Sequence, residues 1–476
     1  MPRNFVGITV MPEYIQNEGI EAVLDHLINR AGVTAVATSP YVMEPADERT
    51  GSREPPIDAG AGSVRLLDRP LWGKRELFVR TGPAFQPDTR LYAGLRYQPA
   101  TTNELTAKHG ALIRQFIRAA QARKLKVYLQ VQAAIPPGYR VQFGGPQGDD
   151  KPQLPDGRVP SQRLANNGSL ASPHITAYHQ ALLKDLIGAY PDVNGLRVDW
   201  PEYPPYFLDD VFLDFGPHAE AAARRLGFDF EAMKRAAGAL YQKLHGGLTD
   251  DDLAPWASRE GGRHRLLRAL SRNPALADWL RFKATLVEEL LAGFRRAMNE
   301  AGAAKMELLP NAFPPPWTLA SGIDFARCAK HVSGFSVKLY TMHWPVMLRF
   351  YGDGILRAHP AGRINEAMLM RSLAAWLDMS DAPAFPALRD WRYPEPDEPH
   401  PAGDAAMGRK IVEAQFEAGP SVPVYTLAHG YGPLTDFARR LQVAWQSSRH
   451  GLWINRYGYL SNEKLDAVGR ICRPEA

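Results

Sequence analysis

Short apolar runs alternate with amphipathic helical stretches along the whole chain, the pattern expected of parallel strands joined by helices. FVGITVM (5–11) reads as a strand, and GIEAVLDHLINRAG (19–32) follows with apolar residues at helical spacing and Gly32 as its stop. Further strands are predicted at TAVATSPYV (34–42), KVYLQVQAAIPPG (126–138), GLRVDW (195–200), KMELLPNAF (305–313), GFSVKLYTMHW (334–344), SVPVYTLAHGYG (421–432) and GLWINRYGYL (451–460). Helices are predicted at 104–124, 172–195, 366–379, 405–419, 436–451 and 462–472, with Ser172 as an N-cap and Pro173 in the first turn. Eight strands, each trailed by helix, predict an α/β fold of the (β/α)8 TIM-barrel class, with residues 1–476 forming a single barrel. Long strand-to-helix loops account for the excess over the usual ~250 residues, together with a mostly helical insertion at 207–300 after strand 4. An open doubly wound sheet is the runner-up, disfavoured because no GxGxxG turn follows any strand.

Composition narrows the function. The 476 residues are 45% hydrophobic, enough for a large core. The net charge of +5 is spread thinly over the chain, so no nucleic-acid partner is expected. Two cysteines, Cys328 and Cys472, are too few for a disulfide framework and fit a reducing compartment. The N-terminal MPRNFVGITVMPEY lacks the apolar core and cleavage site of a secretory signal, and no apolar run reaches the length of a membrane span. A cytoplasmic protein with no membrane partner is therefore expected. The helical insertion offers a lid or a subunit contact, which leaves a homo-oligomer open.

In a barrel of this class the chemistry sits at the C-terminal strand ends. The side chains predicted there are Glu13 and Tyr14 (strand 1), Tyr41 and Glu44 (2), Gln130 and Gln132 (3), and Arg197, Asp199, Trp200 and Glu202 (4). Strand 5 contributes Asn311, strand 6 Lys338, Tyr340, His343 and Trp344, strand 7 Tyr425 and His429, and strand 8 Asn455, Arg456 and Tyr457. Residues two apart share a strand face, so Gln130 with Gln132, Arg197 with Asp199, and Lys338 with Tyr340 point together to the barrel axis or its mouth. Aromatic side chains, among them Trp200, Tyr203, Tyr206, Trp317, Tyr431 and Tyr459, collect at predicted strand ends and loops, where their faces suit stacking on a sugar ring. Glu13, Asp199, His343 and His429 are the residues from which a metal set would have to be drawn, but no HxH or HExxH spacing supports one, and neither metal nor cofactor is expected.

The segment NGLRVDWPEY (194–203), preceded by SPHITAYHQALLKDLIGAYPDV, resembles the fourth-strand segment of glycoside-hydrolase-like (β/α)8 barrels of bacteria and of the alpha-amylase clan. There a helix ending Y-P-D-V-x-G leads into a strand reading G-[ILF]-R-[LVI]-D. The resemblance implies a carbohydrate substrate, Asp199 as catalytic nucleophile and Arg197 as the residue that orients it. Tyr203 stands where the amylase pattern has a histidine, and strand 5 ends in Asn311, with Glu307 early in the strand, instead of in a glutamate.

Glycoside hydrolysis needs two carboxyls, one to protonate the departing oxygen and one to attack the anomeric carbon or activate water, roughly 5 to 9.5 Å apart according to outcome. Pro201 breaks the strand ladder and is expected to lift Glu202 towards the rim, where a less paired environment would raise its pKa for acid duty. Glu13 and Glu307 follow Glu202 as candidate acids, with Glu44 a further rival. Gln130, Gln132, Asn311, Lys338, Tyr340, His429, Asn455 and Arg456 are candidates for substrate recognition. Two other functions fit the same residues: a barrel lyase or epimerase acting on a sugar or sugar acid, with Lys338 or His343 as base and a divalent ion, and a non-catalytic carbohydrate-binding barrel.

Overall fold

The computed structural model describes residues 5–45, 52–53, 67–69, 71, 77–138 and 144–472. Part of the long loop after strand 2 and residues 142–143 of the loop after strand 3 lie outside them. Eight parallel strands close into a barrel: β1 (Phe5–Thr9), β2 (Ala35–Thr38), β3 (Lys126–Gln132), β4 (Gly195–Asp199), β5 (Glu307–Ala312), β6 (Phe335–Leu339), β7 (Val424–His429) and β8 (Gly451–Asn455). Closure is made by β1 on β8, paired from Phe5↔Gly451 to Thr9↔Asn455.

Period two decides what fills the cylinder. Ile8, Val36, Val127, Leu196, Leu308, Val337, Leu452 and Ile454 belong to the main core shared with the helices. The alternate positions make a separate inner cluster of Ala35, Ala37, Tyr128, Leu309, Leu427 and Trp453, with Phe5 and Tyr425 packed against it. These rings form a floor: Phe5 meets Tyr425 at 4.5 Å and Trp453 at 5.2 Å between centroids, and Trp453 meets Tyr128 edge to face at 5.3 Å. Glycines make room for the floor. A Cβ on Gly7 would lie 2.3 Å from the Trp453 ring, and one on Gly195 would lie 2.6 Å from the Glu307 carbonyl oxygen. Glu307 itself takes hydrogen bonds from Tyr128 Oη and Lys126 Nζ, both at 2.9 Å. It belongs to the N-terminal end of the barrel, which removes it as a candidate acid.

Three elements depart from the sequence pattern. The run 34–42 is split: β2 ends at Thr38, and Tyr41–Pro45 pairs antiparallel with Leu77–Pro83, which also pairs with Ser52–Arg53. Tyr41 and Glu44 are thus on a small sheet outside the barrel wall, with Glu44 ion-paired to Arg80. Strand β6 stops at Leu339, and His343 and Trp344 open a helix, His343–Ala358, that the glycines Gly352 and Gly354 and the early Pro345 hid from the periodicity. Strand β8 stops at Asn455, and Tyr457–Tyr459 is a short 3-10 turn.

Between β4 and β5 the chain is helical, from Leu208–Val211 through Pro217–Leu226, Phe230–Gln242 and Arg259–Arg272 to the helix Pro274–Glu300. That last helix packs on Pro173–Ala189, the helix leading into β4. Cys328 and Cys472 are buried free thiols. No helix among the described residues is long and apolar enough to cross a membrane.

Because Gly7 faces the indole, Gly7→Ala is expected to cost about 1–3 kcal/mol of stability by overpacking. A lowered denaturant midpoint with an unchanged slope reads this directly, and an unchanged midpoint would mean that Trp453 gives way freely.

Candidate active site

Arg197 rises from β4 at the barrel centre and is 0% exposed. Its guanidinium carbon lies 4.0 Å above the Trp453 ring, so the cation rests on the aromatic floor. Nη1 donates to Thr9 Oγ1 at 3.1 Å and Nη2 to Asn311 Oδ1 at 2.9 Å and Ser336 Oγ at 3.4 Å. Burial pulls its pKa down to about 10. These contacts correct the expectation that Arg197 directly orients Asp199. The two share a face, but the arginine points down into the floor, and the ion-pair partner of Asp199 is Lys338 from β6, with Nζ 2.8 Å from Oδ1. The aspartate side chain keeps 14% of its surface open, whereas the lysine keeps 2%.

The chain then turns sharply. Trp200 has φ +53, a left-handed conformation rare for a bulky side chain, and its N–H donates to Asp199 Oδ1 at 3.1 Å. Such strain persists only where the surroundings hold it. Here Asn167 Nδ2 donates to the carbonyls of Trp200 (2.8 Å) and Glu202 (3.1 Å), and Tyr203 N–H donates to the Ser321 carbonyl at 3.0 Å.

Glu202 is not lifted to the rim. It is 0% exposed, with Oε1 accepting from Phe313 N–H at 2.8 Å and Oε2 from Ser321 Oγ at 2.5 Å. Its pKa is nonetheless pushed up, to about 7, because desolvation outweighs the lowering effects of Lys338, of the Ser321 hydroxyl and of the Phe313 amide. The direction agrees with the sequence reading and the cause is the opposite one, enclosure instead of exposure.

Aromatic rings border Asp199 and Lys338. Lys338 Nζ lies 5.1 Å from the Trp200 ring and 5.0 Å from Phe313. Tyr340, half-buried, packs on His343 and His429, at 5.4 and 5.0 Å between centroids. Tyr206 Oη is 3.1 Å from His343 Nδ1, Tyr393 joins His343 at 5.9 Å, and Tyr459 joins His429 at 5.2 Å. Gln130, Gln132 and Asn455 are half-buried at the same strand ends, in register with Arg197, Asp199 and Thr9 respectively. Asn311 Nδ2 donates to Gln130 Oε1 at 3.4 Å.

Other predicted residues are elsewhere or sealed. Glu13 is buried in the helix Pro12–Glu18, and Arg456 is buried with its guanidinium 5.6 Å from the Tyr459 ring. Tyr203 is sealed between Leu170 N–H and Asp214, Tyr425 belongs to the floor, and Tyr457 donates to Glu18. Trp317 and Trp344 flank the buried ammonium of Lys410. Among the described residues, Glu13, Asp199, His343 and His429 do not converge as a metal set. Trp453, Thr9 and Ser336 were missed although strand parity aims them inward. Asn167 and Ser321 carried no local signal, since loops far from β4 deliver them. A cleft of about 560 Å³ opens beside the loop after β3, lined by Arg96, Tyr97, Pro136, Pro137, Gln147 and Asn166, the last of these adjacent to Asn167.

No family model matches the chain, and neither does any curated protein. Solved structures do resemble it. The glycoside hydrolase domain of PgaB (BpsB) from Bordetella bronchiseptica superposes with a TM-score of 0.51 at 13% identity, covering 100% of both chains. The catalytic domain of beta-amylase from Paenibacillus polymyxa superposes with a TM-score of 0.50 at 10% identity, covering 98% of this chain and 97% of that one. The chain thus has a (β/α)8 fold of the kind glycoside hydrolases use.

The raised pKa of Glu202 has a consequence for stability. The carboxyl's favourable contribution is fully present below its ordinary 4.5 and is lost as pH rises through about 7. Wild type is therefore expected to lose on the order of 3 kcal/mol relative to Glu202→Gln across that window. Denaturant midpoints of both proteins below and above it measure the difference, and parallel pH profiles would contradict the assignment.

Proposed function

We propose that the protein is a glycoside hydrolase, acting on a carbohydrate at the open end of the barrel with Asp199 as the carboxylate that attacks the anomeric centre or activates water. The observation that carries this reading is the Asp199–Lys338 ion pair at the end of β4, partly open and bordered by Trp200 and the Tyr340–His343–His429 rings. Aromatic faces next to polar groups suit a sugar, whose ring carbons stack while its hydroxyls take hydrogen bonds. Gln130, Gln132 and Asn455, half-buried at the strand ends, supply such groups, and buried Asn311, held by Arg197, donates to Gln130. Glu202 is the proton donor in this scheme, since a carboxyl pushed up to about 7 retains its proton near neutrality. No metal or cofactor is required by these roles. Two buried free thiols accord with a cytoplasmic setting.

One observation favours a second reading. Glu202 is wholly enclosed and hydrogen-bonded at both oxygens, so it serves as a donor only if the turn 200–203 moves or water carries the proton. If neither happens, the same mouth binds a sugar without cleaving it, and Glu202 is a structural tie between β4 and the 313–321 segment.

A panel of aryl glycosides of varied sugar and anomeric configuration separates the two. For the hydrolase, at least one member is turned over, Asp199→Asn lowers kcat/KM on the order of a thousandfold or more with the thermal midpoint kept, and Glu202→Gln hits substrates with poor leaving groups hardest. Saturable sugar binding by the wild type with no turnover of any member would establish the binding barrel instead.

A further inference from the structure

We propose that Asp150, His174 and His218 form a binding site for a divalent transition metal of the Zn2+ type, which fastens the loop after β3 to the helical segment after β4. The three residues come from separate elements: a 3-10 turn at Gly148–Asp150, the first turn of Pro173–Ala189, and the first turn of Pro217–Leu226. One donor atom from each lies within 4.8 Å of the others. His218 Nε2 is 3.1 Å from Asp150 Oδ1 and 3.4 Å from Asp149 Oδ2. Ligand atoms on a tetrahedral Zn2+ with bonds of about 2.0–2.1 Å are themselves about 3.3 Å apart, so the His218–Asp150 edge of the polyhedron is already near the right length.

The surroundings match a ligand set better than a simple ion pair. Asp150 is 0% exposed, and its far oxygen Oδ2 accepts from Tyr97 Oη and Arg96 Nη1, both at 2.7 Å. Ser172 Oγ donates to Oδ1. Such outer partners fix a ligating carboxylate with one oxygen turned to the metal. The His174 and His218 rings stand 5.7 Å apart at 76°, as two imidazoles around one ion do, and His218 Nε2 is a buried atom. Asp149 and Asp150 together outweigh the charge of Arg96, which leaves the cluster receptive to a cation. Two imidazoles with carboxylate oxygen select Zn2+ over Mg2+ or Ca2+, which want oxygen alone.

The site is structural and its effect reaches the mouth. The Asp150 carbonyl accepts from Ser169 N–H at 2.8 Å, and Ser169 Oγ donates to Asp214. Asp214 also accepts from Tyr203 Oη at 3.3 Å and Gly216 N–H at 2.9 Å. Closing the cluster on an ion therefore steadies Tyr203, the neighbour of Glu202, without touching a reacting group.

The full chain, stripped with chelator and dialysed, is titrated with Zn2+ alone, and bound metal and thermal midpoint are measured. The expected result is a single tight equivalent, a midpoint that rises with Zn2+, and Co2+ substitution giving the visible bands of a four-coordinate ion. His218→Asn and His174→Asn should each weaken that equivalent by at least about tenfold and abolish the rise. Should His218→Asn fail to fold, His174→Asn, half-buried at a helix start, carries the comparison. Absence of a tight equivalent in wild type, its retention in the variants, or equal affinity for Mg2+ each overturns the site. None of these readouts involves sugar turnover.

Discussion

A buried guanidinium resting on an indole organises this molecule. Arg197 is wholly buried, a costly state for a cation that persists because Thr9 of β1, Asn311 of β5 and Ser336 of β6 accept its hydrogen bonds while Trp453 of β8 lies against its face. The contacts draw four other strands towards β4. They also divide the cylinder: below the arginine the filling is mainly rings, alanines and leucines, above it amides, a carboxylate and an ammonium. The polar mouth exists because one cation stops the aromatic floor from continuing upward.

Above that divide, Lys338, a candidate for substrate recognition, is instead the internal partner of Asp199. It is also the strongest charge effect on Glu202. One ammonium thus influences two carboxyls three residues apart, one partly open and one sealed. The contrast between them comes from the turn: a left-handed Trp200 sends the chain inward, and Asn167 and Ser321 keep it there.

How much of this was legible follows from the range of the interactions. Period two along the strands identified which side chains face inward, and it holds for Gln130 and Gln132, for Arg197 and Asp199, and for the barrel as a whole. The same rule says nothing about height. Arg197 and Asp199 share a face yet occupy successive layers, so their expected contact is replaced by pairings with residues 114 positions and more away. Tyr425, near the start of its strand, went to the floor for the same reason. The fate of Glu202 was illegible because its partners, Phe313 and Ser321, are brought to it only by β5 and the turn that follows it. Helix His343–Ala358 was masked by its own proline and glycines, which lower intrinsic propensity where packing supplies the stability.

The aromatic floor also makes the cylinder a blind well. With Phe5, Tyr128, Tyr425 and Trp453 closing its base, nothing passes through, and whatever enters must back out by the door it came in. Entry and exit of any ligand then share one opening, and the long loops crowding that lip become the natural place to govern its exchange.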